Sequence, residues 1–182
     1  MKRPLKIILI TNSLVILAGA LLGPIYAIYV EEIGGDILTV GSTYAIFSIV
    51  AGAVIILLGK IEDKIKNKKR LVIGAYFLLA LGFFGYLLVK SPMHLFLIQI
   101  IIGIGQAIYI PALDVLYDKN IESRKAAYQW GLWEGIYYII GGVAAFIGAW
   151  VANIYGFSIL FIFMGILCVM SAIGMIILPK KF

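Results

Sequence analysis

The sequence predicts an all-α membrane protein of six transmembrane helices, and three observations carry that expectation. Of 182 residues, 63% are hydrophobic and 13% are charged, whereas an average soluble domain carries about 25% charged residues; the mean hydropathy is +1.08. Apolar stretches of about 20 residues, the length that crosses a bilayer, recur along the whole chain. The basic residues collect on one side of those stretches. A soluble fold of this length leaves roughly a third of its extended-chain surface wet and has no place for so much apolar surface. These numbers exclude an ordinary soluble enzyme, a disordered chain and a disulfide scaffold; the single Cys168 has no intrachain partner.

The spans follow in order. The first, Leu5–Val30, comes after Lys2, Arg3 and Lys6 and so imitates a signal peptide, but its apolar region is too long. No small-x-small cleavage site precedes Glu31, so it is expected to be a retained span. It holds Asn12, a Gly19-x-x-x-Gly23 pattern that reads as helix packing, and a break at Gly23-Pro24. The second, Ile37–Leu58, aligns Gly41, Ser48, Gly52 and Gly59 in a narrow seam that also reads as packing. The third, Leu71–Val89, has only Tyr76 and Tyr86 as polar groups. In the fourth, His94–Tyr117, Gln99, Gln106 and Tyr117 nearly eclipse one another, flanked by Tyr109 and Asp114, and Pro111 marks a second break. The fifth, Ala127–Ile154, gathers Gln129, Trp130, Trp133, Glu134 and Tyr137 on a broad face that continues to Gly141 and Gly148. The sixth, Phe157–Leu178, carries Ser158, Cys168 and Ser171. The runs are continuous and do not alternate with period two, so they are helices and not barrel strands. Tyr29, Trp150 and Tyr155 stand near span ends as interfacial anchors.

Fourteen of the fifteen Lys and Arg residues fall in the two termini and the second and fourth loops; Lys90 is the exception, and the first loop carries Glu31, Glu32 and Asp36. The positive-inside rule therefore predicts that both termini are cytoplasmic. The net charge of +6 is membrane topology and not a nucleic-acid footprint, and the run from Lys66 to Arg70 reads as an anionic-lipid contact. So strong a bias leaves little room for dual insertion, and copies that self-associate should be parallel.

Polar groups inside a bilayer are costly, and their distribution is the functional signal. The third and sixth spans have few and read as lipid-facing or peripheral. A carboxylate two turns inside a span, as at Glu134, costs about 2.5–3.5 kcal/mol unless solvated, paired or protonated. Burial makes it protonatable near neutral pH, and Asp114 is the second such group. Gln99 and Gln106 either bond neighbouring helices or face a solute. Four helices sharing polar faces imply a wet cavity open on one side, which a second copy presenting the same face would close. The Gly/Pro breaks open the first and fourth spans, so the chain divides into three-helix units, 1–90 and 91–182, as a 3+3 inverted repeat with a site near the midplane.

The loop Gly59-Lys60-Ile61-Glu62-Asp63-Lys64-Ile65-Lys66-Asn67-Lys68-Lys69-Arg70 resembles the major facilitator superfamily (MFS) pattern Gly-x-Leu-Ala-Asp-Arg/Lys-x-Gly-Arg/Lys-Arg/Lys. Gly59, Asp63, Lys64 and Lys68 match it, while Glu62, Lys66 and Asn67 depart from it. Gln99-Ile100-Ile101-Ile102-Gly103-Ile104-Gly105 resembles the family's Arg-x-x-x-Gly-x-Gly helix, with Gln99 in the place of the Arg. Pro111-Ala112-Leu113, Asp118, Arg124 and Ala126 resemble the end of that helix and the next loop. Gly141-Gly142 and Gly148 lack the Gly-Pro pair of the antiporter motif. The resemblance covers all six spans, one half of a twelve-helix transporter. It implies that the first, second, fourth and fifth helices line the cavity or the seam between halves.

The resulting expectation is a half-size secondary transporter of a small polar solute, foremost a sugar, working by alternating access as a parallel homodimer in a prokaryotic inner membrane. Asn12, Tyr26, Gln99, Gln106, Tyr109, Trp130, Trp133 and Tyr137 would bind substrate, with amides supplying donors and acceptors and aromatic faces covering a sugar ring. Glu134 and Asp114 would couple transport to protons. Gly59, Asp63, Lys64, Asp118 and Arg124 would form a cytoplasmic gate, with Asp63 capping the partner's fifth helix near Ala126–Tyr128. The alternatives are proton-coupled efflux of amphipathic or cationic drugs, and a non-transporting subunit or one half of a heteromer. An enzyme is not expected, because the one His, His94, stands at a span end and no nucleophile or metal-ligand spacing occurs. No cofactor, metal or nucleic-acid partner is expected.

Overall fold

The computed structural model describes residues 3–62, 64–65 and 67–177. Its helices are α1 (Arg3–Leu22), α2 (Tyr26–Glu32), α3 (Ile37–Glu62), α4 (Lys68–Gly85), α5 (Pro92–Asp118), α6 (Ala126–Tyr155) and α7 (Phe157–Ile176). A 3-10 turn at Gly23–Ile25 separates α1 from α2, so the first span is one path with a break. Among the described residues, six helical stretches are long and apolar enough to cross a membrane. Asp63, the anion expected at the gate, and Leu178, the expected end of the sixth span, lie outside the described residues.

Local chemistry sets the ends. α2 closes in a Schellman motif: Gly34 takes φ +83°, its N–H bonds Glu31 O at 3.0 Å, and Gly35 N–H bonds Val30 O at 2.8 Å. α3 opens on a reciprocal cap, in which Thr39 N–H and Oγ1 donate to Asp36 Oδ1 (2.8 and 2.7 Å) and Asp36 N–H reaches Thr39 Oγ1 at 3.3 Å. These bonds hold the exposed Asp36 carboxyl below the usual carboxylate range. Asn67 caps α4, and Lys69 Nζ caps the far end of α7 through Ile176 O at 2.8 Å.

The helices pack in the spatial order α3, α5, α4, α7, α1, α6, each against the next, and α6 also leans on α7. Exchanging the first span with the fourth, the second with the fifth and the third with the sixth leaves those main pairings unchanged. The result is an arc. α4 and α7 form its dry back, α1 and α5 its inner face, and α3 and α6 its rims.

Several expectations change. The third and sixth spans are the centre of the back layer and not outlying elements: Tyr76, Met164, Cys168 and Ser171 are fully buried there, while Phe77, Leu81, Phe163 and Met170 face outward. The elements with least burial are the second and fifth spans. The expected seam on α3 is not packed within the chain: Gly41 and Ser48 are exposed and Gly52 and Gly59 have open space, because α3 packs through its opposite face, Phe47 and Ala51 against Gly103. Gly19 and Gly23 likewise touch no neighbouring helix at their Cα positions and line the cavity described below. Pro111 does not interrupt the fourth span, because α5 is flanked by α3 and α4 and that packing carries the helix across one missing backbone donor. Tyr29 is no interfacial anchor. It is 4% exposed, packed against Tyr86, Phe157 and Phe161, whereas Trp150 and Tyr155 are exposed as expected.

Two backbones approach closely at Gly148 of α6, where an added Cβ would collide with the carbonyl of Leu21. Gly148→Ala should destabilise the protein by about 1–3 kcal/mol, read as a lower unfolding temperature in detergent. Gly131→Ala, with open space around it, should stay within about 1 kcal/mol of wild type. The lowered Asp36 pKa makes its cap fully effective near neutral pH and lost as pH falls through the lowered value. Hydrogen-exchange protection in the first turn of α3 should therefore drop in acid, and Asp36→Asn, which keeps an acceptor without a charge, should flatten that dependence.

Candidate functional site

The arc encloses a cavity of about 610 Å³ between its two rims, within the range of small-molecule sites, about 300–1,000 Å³. α1 contributes Val15, Ile16 and Gly19; α5 contributes Gln99, Ile102, Gln106 and Tyr109. The rims contribute Tyr44 and Phe47 from α3 and Tyr137, Tyr138 and Gly141 from α6, while Tyr26 and Tyr86 close one end. Tyr44, Tyr137 and Tyr138, exposed by 65%, 53% and 73%, stand at the mouth. The lining holds six tyrosines and two glutamines and no charged side chain.

A hydrogen-bond chain builds one wall. Thr43 Oγ1 donates back along α3 to Thr39 O at 2.7 Å, Tyr26 OH donates to Thr43 Oγ1 at 2.8 Å, and Gln99 Nε2 reaches Tyr26 OH at 3.1 Å and Tyr86 OH at 3.2 Å. Four spans are joined there. Thr43 is fully buried, a position a lone hydroxyl holds only when bonded. Tyr29 OH, one turn beyond Tyr26, donates to Tyr86 O at 3.4 Å.

A second cluster ties α5 to α6 towards the basic end. Tyr117 is fully buried and packs on Trp133 and Trp130 with centroids 4.3 and 5.1 Å away. Its hydroxyl donates to Gln129 O, and Gln129 Oε1 accepts from Glu122 N–H at 2.7 Å. Gln129 and Tyr117 are thus fasteners of the α5–α6 connection.

The expected substrate residues therefore divide. Tyr26, Gln99, Gln106, Tyr109 and Tyr137 meet at the cavity. Trp130 and Trp133 lie in the Tyr117 cluster, and Asn12 is buried on α1 outside the lining. Asp114 is half-buried on α5 and Glu134 is exposed on α6, so the burial expected for Glu134 is not supplied by this chain's own packing. Of the gate set, Gly59 and Lys64 sit at the end of α3, while Asp118 and Arg124 flank the α5–α6 turn. No ion pair joins Lys64, Asp118 or Arg124 to another described residue. Thr43, Tyr44, Tyr86 and Tyr138 were not anticipated. The available signal for Thr43 was a hydroxyl buried more than one turn into an apolar span; Tyr86 was overlooked because its span is otherwise apolar.

A bundle of membrane-crossing helices around a solute-sized cavity is the framework of a membrane transporter. A sequence profile of the Major Facilitator Superfamily matches residues 8–181, and the chain belongs to that family. The members of that family are membrane transporters and not enzymes, and the six apolar helices mark this chain as an integral membrane protein. It is similar to an uncharacterized MFS-type transporter of Methanocaldococcus jannaschii (25% identity over 167 residues, 92% of this chain and 43% of the relative). The multi-drug resistance efflux pump PmrA of Streptococcus pneumoniae is 26% identical over 161 residues, 84% of this chain and 39% of the pump. The multidrug resistance protein MdtG of Yersinia enterocolitica is 25% identical over 169 residues, 90% and 40%. The chain spans about two fifths of the length of these relatives.

Proposed function

We propose that this six-helix chain is one half of a transporter for amphipathic organic solutes, completed by a second, parallel copy whose α3 and α6 rims meet its own. The observation that carries this reading is the lateral cavity itself, lined by tyrosine rings and amides, uncharged, and open between two rims with unfilled glycine positions. Tyrosine offers a flat apolar face with a polar edge, which suits solutes that are largely apolar and carry one polar or cationic group. The sugar reading rested on indole faces, and Trp130 and Trp133 are engaged with Tyr117. The names of PmrA and MdtG point in the same direction.

Asp114 and Glu134 are the coupling groups of this reading. A carboxylate held within a membrane span is stabilised by taking up a proton or by pairing with an organic cation. The units 1–90 and 91–182 supply the two faces of the cavity, and rocking of the copies about an axis along the membrane normal opens it to either side. The basic second and fourth loops face the cytoplasm under the positive-inside rule, with the protein in a prokaryotic inner membrane.

The test is transport in proteoliposomes under an imposed pH gradient, with a fluorescent lipophilic cation and a radiolabelled monosaccharide run side by side. Gradient-driven movement of the cation, reduced about tenfold (about 1.4 kcal/mol) in Glu134→Gln and in Asp114→Asn, is the expected result. Saturable sugar transport without cation movement would contradict it.

A further inference from the structure

We propose that the buried hydroxyl chain behind the cavity fixes the orientation of the Gln99 amide, so that its carbonyl oxygen faces the solute and selects compounds bearing an N–H donor. This rests on the reading of the cavity as a solute site and names the chemistry that site prefers.

The relay starts at a group that can only accept, a backbone carbonyl of α3. Thr43 Oγ1 lies 2.7 Å from Thr39 O and 3.1 Å from Val40 O. Two acceptors that close repel unless a proton lies between them, so the Thr43 hydrogen points down its own helix. Tyr26 OH is 2.8 Å from the same Oγ1, and with the Thr43 proton committed, the shared hydrogen belongs to Tyr26. Tyr26 oxygen is then an acceptor towards Gln99, 3.1 Å away, and the atom of the amide that meets it must be nitrogen. The other amide hydrogen reaches Tyr86 OH at 3.2 Å. Both donors of Gln99 are used, and the direction of every bond follows from one backbone carbonyl.

What remains is Gln99 Oε1. It has no partner in the described residues, and the only side-chain polar atom there that is both sealed from the surface and unbonded is Tyr76 OH. Gln99 Oε1 therefore opens outward, and the space beside Gln99 is the cavity. A carbonyl oxygen there accepts from an ammonium, amine or amide N–H and gives nothing to a quaternary ammonium of the same charge. Thr43 and Tyr26 act through Gln99 as positioning residues; Gln99 is the specificity-determining one.

The experiment uses 4-phenylbutylammonium and its N,N,N-trimethyl analogue, which share charge and ring and differ in N–H donors. Binding of each is measured by calorimetry on the full chain in lipid nanodiscs, with empty discs subtracted. Wild type should prefer the ammonium by about tenfold or more, the worth of one hydrogen bond to a charged donor. Thr43→Val frees the Tyr26 proton to turn towards Gln99 and lets the amide flip. It should bring the ratio of the two affinities close to one, and Thr43→Ser should retain the wild-type ratio. Tyr26→Phe reads the same relay independently should Thr43→Val fail to fold, and Gln99→Leu should also lose the preference. A preference that survives Thr43→Val, or equal binding of both compounds by wild type, overturns the inference alone. A wild-type protein that binds neither overturns the amphipathic-solute reading and this inference with it.

Discussion

Hydrocarbon offers no hydrogen bonds, and that constraint organises this molecule. Hydroxyls and amides inside a membrane must be bonded within the protein or kept in contact with water. The back of the arc is dry, with the sealed and unbonded Tyr76 hydroxyl as its exception among the described residues: α4 and α7 bury Leu79, Met164 and Ala172 against neighbours and send Leu81, Phe163 and Ile173 towards lipid. The inner face obeys differently. Gln106 and the rings of Tyr109, Tyr137 and Tyr138 surround an opening between two rims. The rims carry open glycines where a packed helix would carry contacts. A surface of that composition is stable beside water or beside another protein surface, and not beside acyl chains.

Two side-chain clusters hold the cavity at its ends. At one end the break at Gly23–Ile25 turns α2 into a short separate segment, fixed by Tyr26 to Thr43 and Gln99 and by Tyr29 in an aromatic nest. At the other end Tyr117, Trp130, Trp133 and Gln129 fasten the start of α6 to the end of α5. Between these ends α1 and α5 lie on opposite sides of the cavity. A rigid back with clamped ends suits a unit that moves as a body, and the polar relay at Gln99 places a hydrogen-bonding specificity on a wall that does not itself need to move.

Much of this was legible in the sequence. Span number and limits followed from length and hydropathy, because a membrane fixes helix length more tightly than water does. The break at Gly23-Pro24 was found because glycine and proline act locally, whereas Pro111 failed as a signal because tertiary packing on both sides of α5 overrides it. The cavity side of α5 was visible in the Gln99–Gln106 spacing. The destination of Trp130 and Trp133 was not: helical period gives the face of a residue but not which neighbour fills it, and Tyr117 stands close enough to take both rings. Counting polar residues per span placed α4 and α7 at the edge. In lipid an apolar helix is equally content inside or outside, so polarity alone does not rank burial.

The proposed second copy would cover the α3 and α6 rims. Disulfide cross-linking in native membranes, on a Cys168→Ala background, reads that contact. A two-fold axis along the membrane normal sets α3 of one copy beside α6 of the other, so Ile56→Cys on α3, 78% exposed, combined with Gly131→Cys at the same end of α6, should join two chains into one product of twice the 20.0 kDa chain mass. Phe163→Cys, on the back of the arc, should not. Equal cross-linking from the rim pair and from Phe163, or none from the rim pair, would show that no second copy sits there.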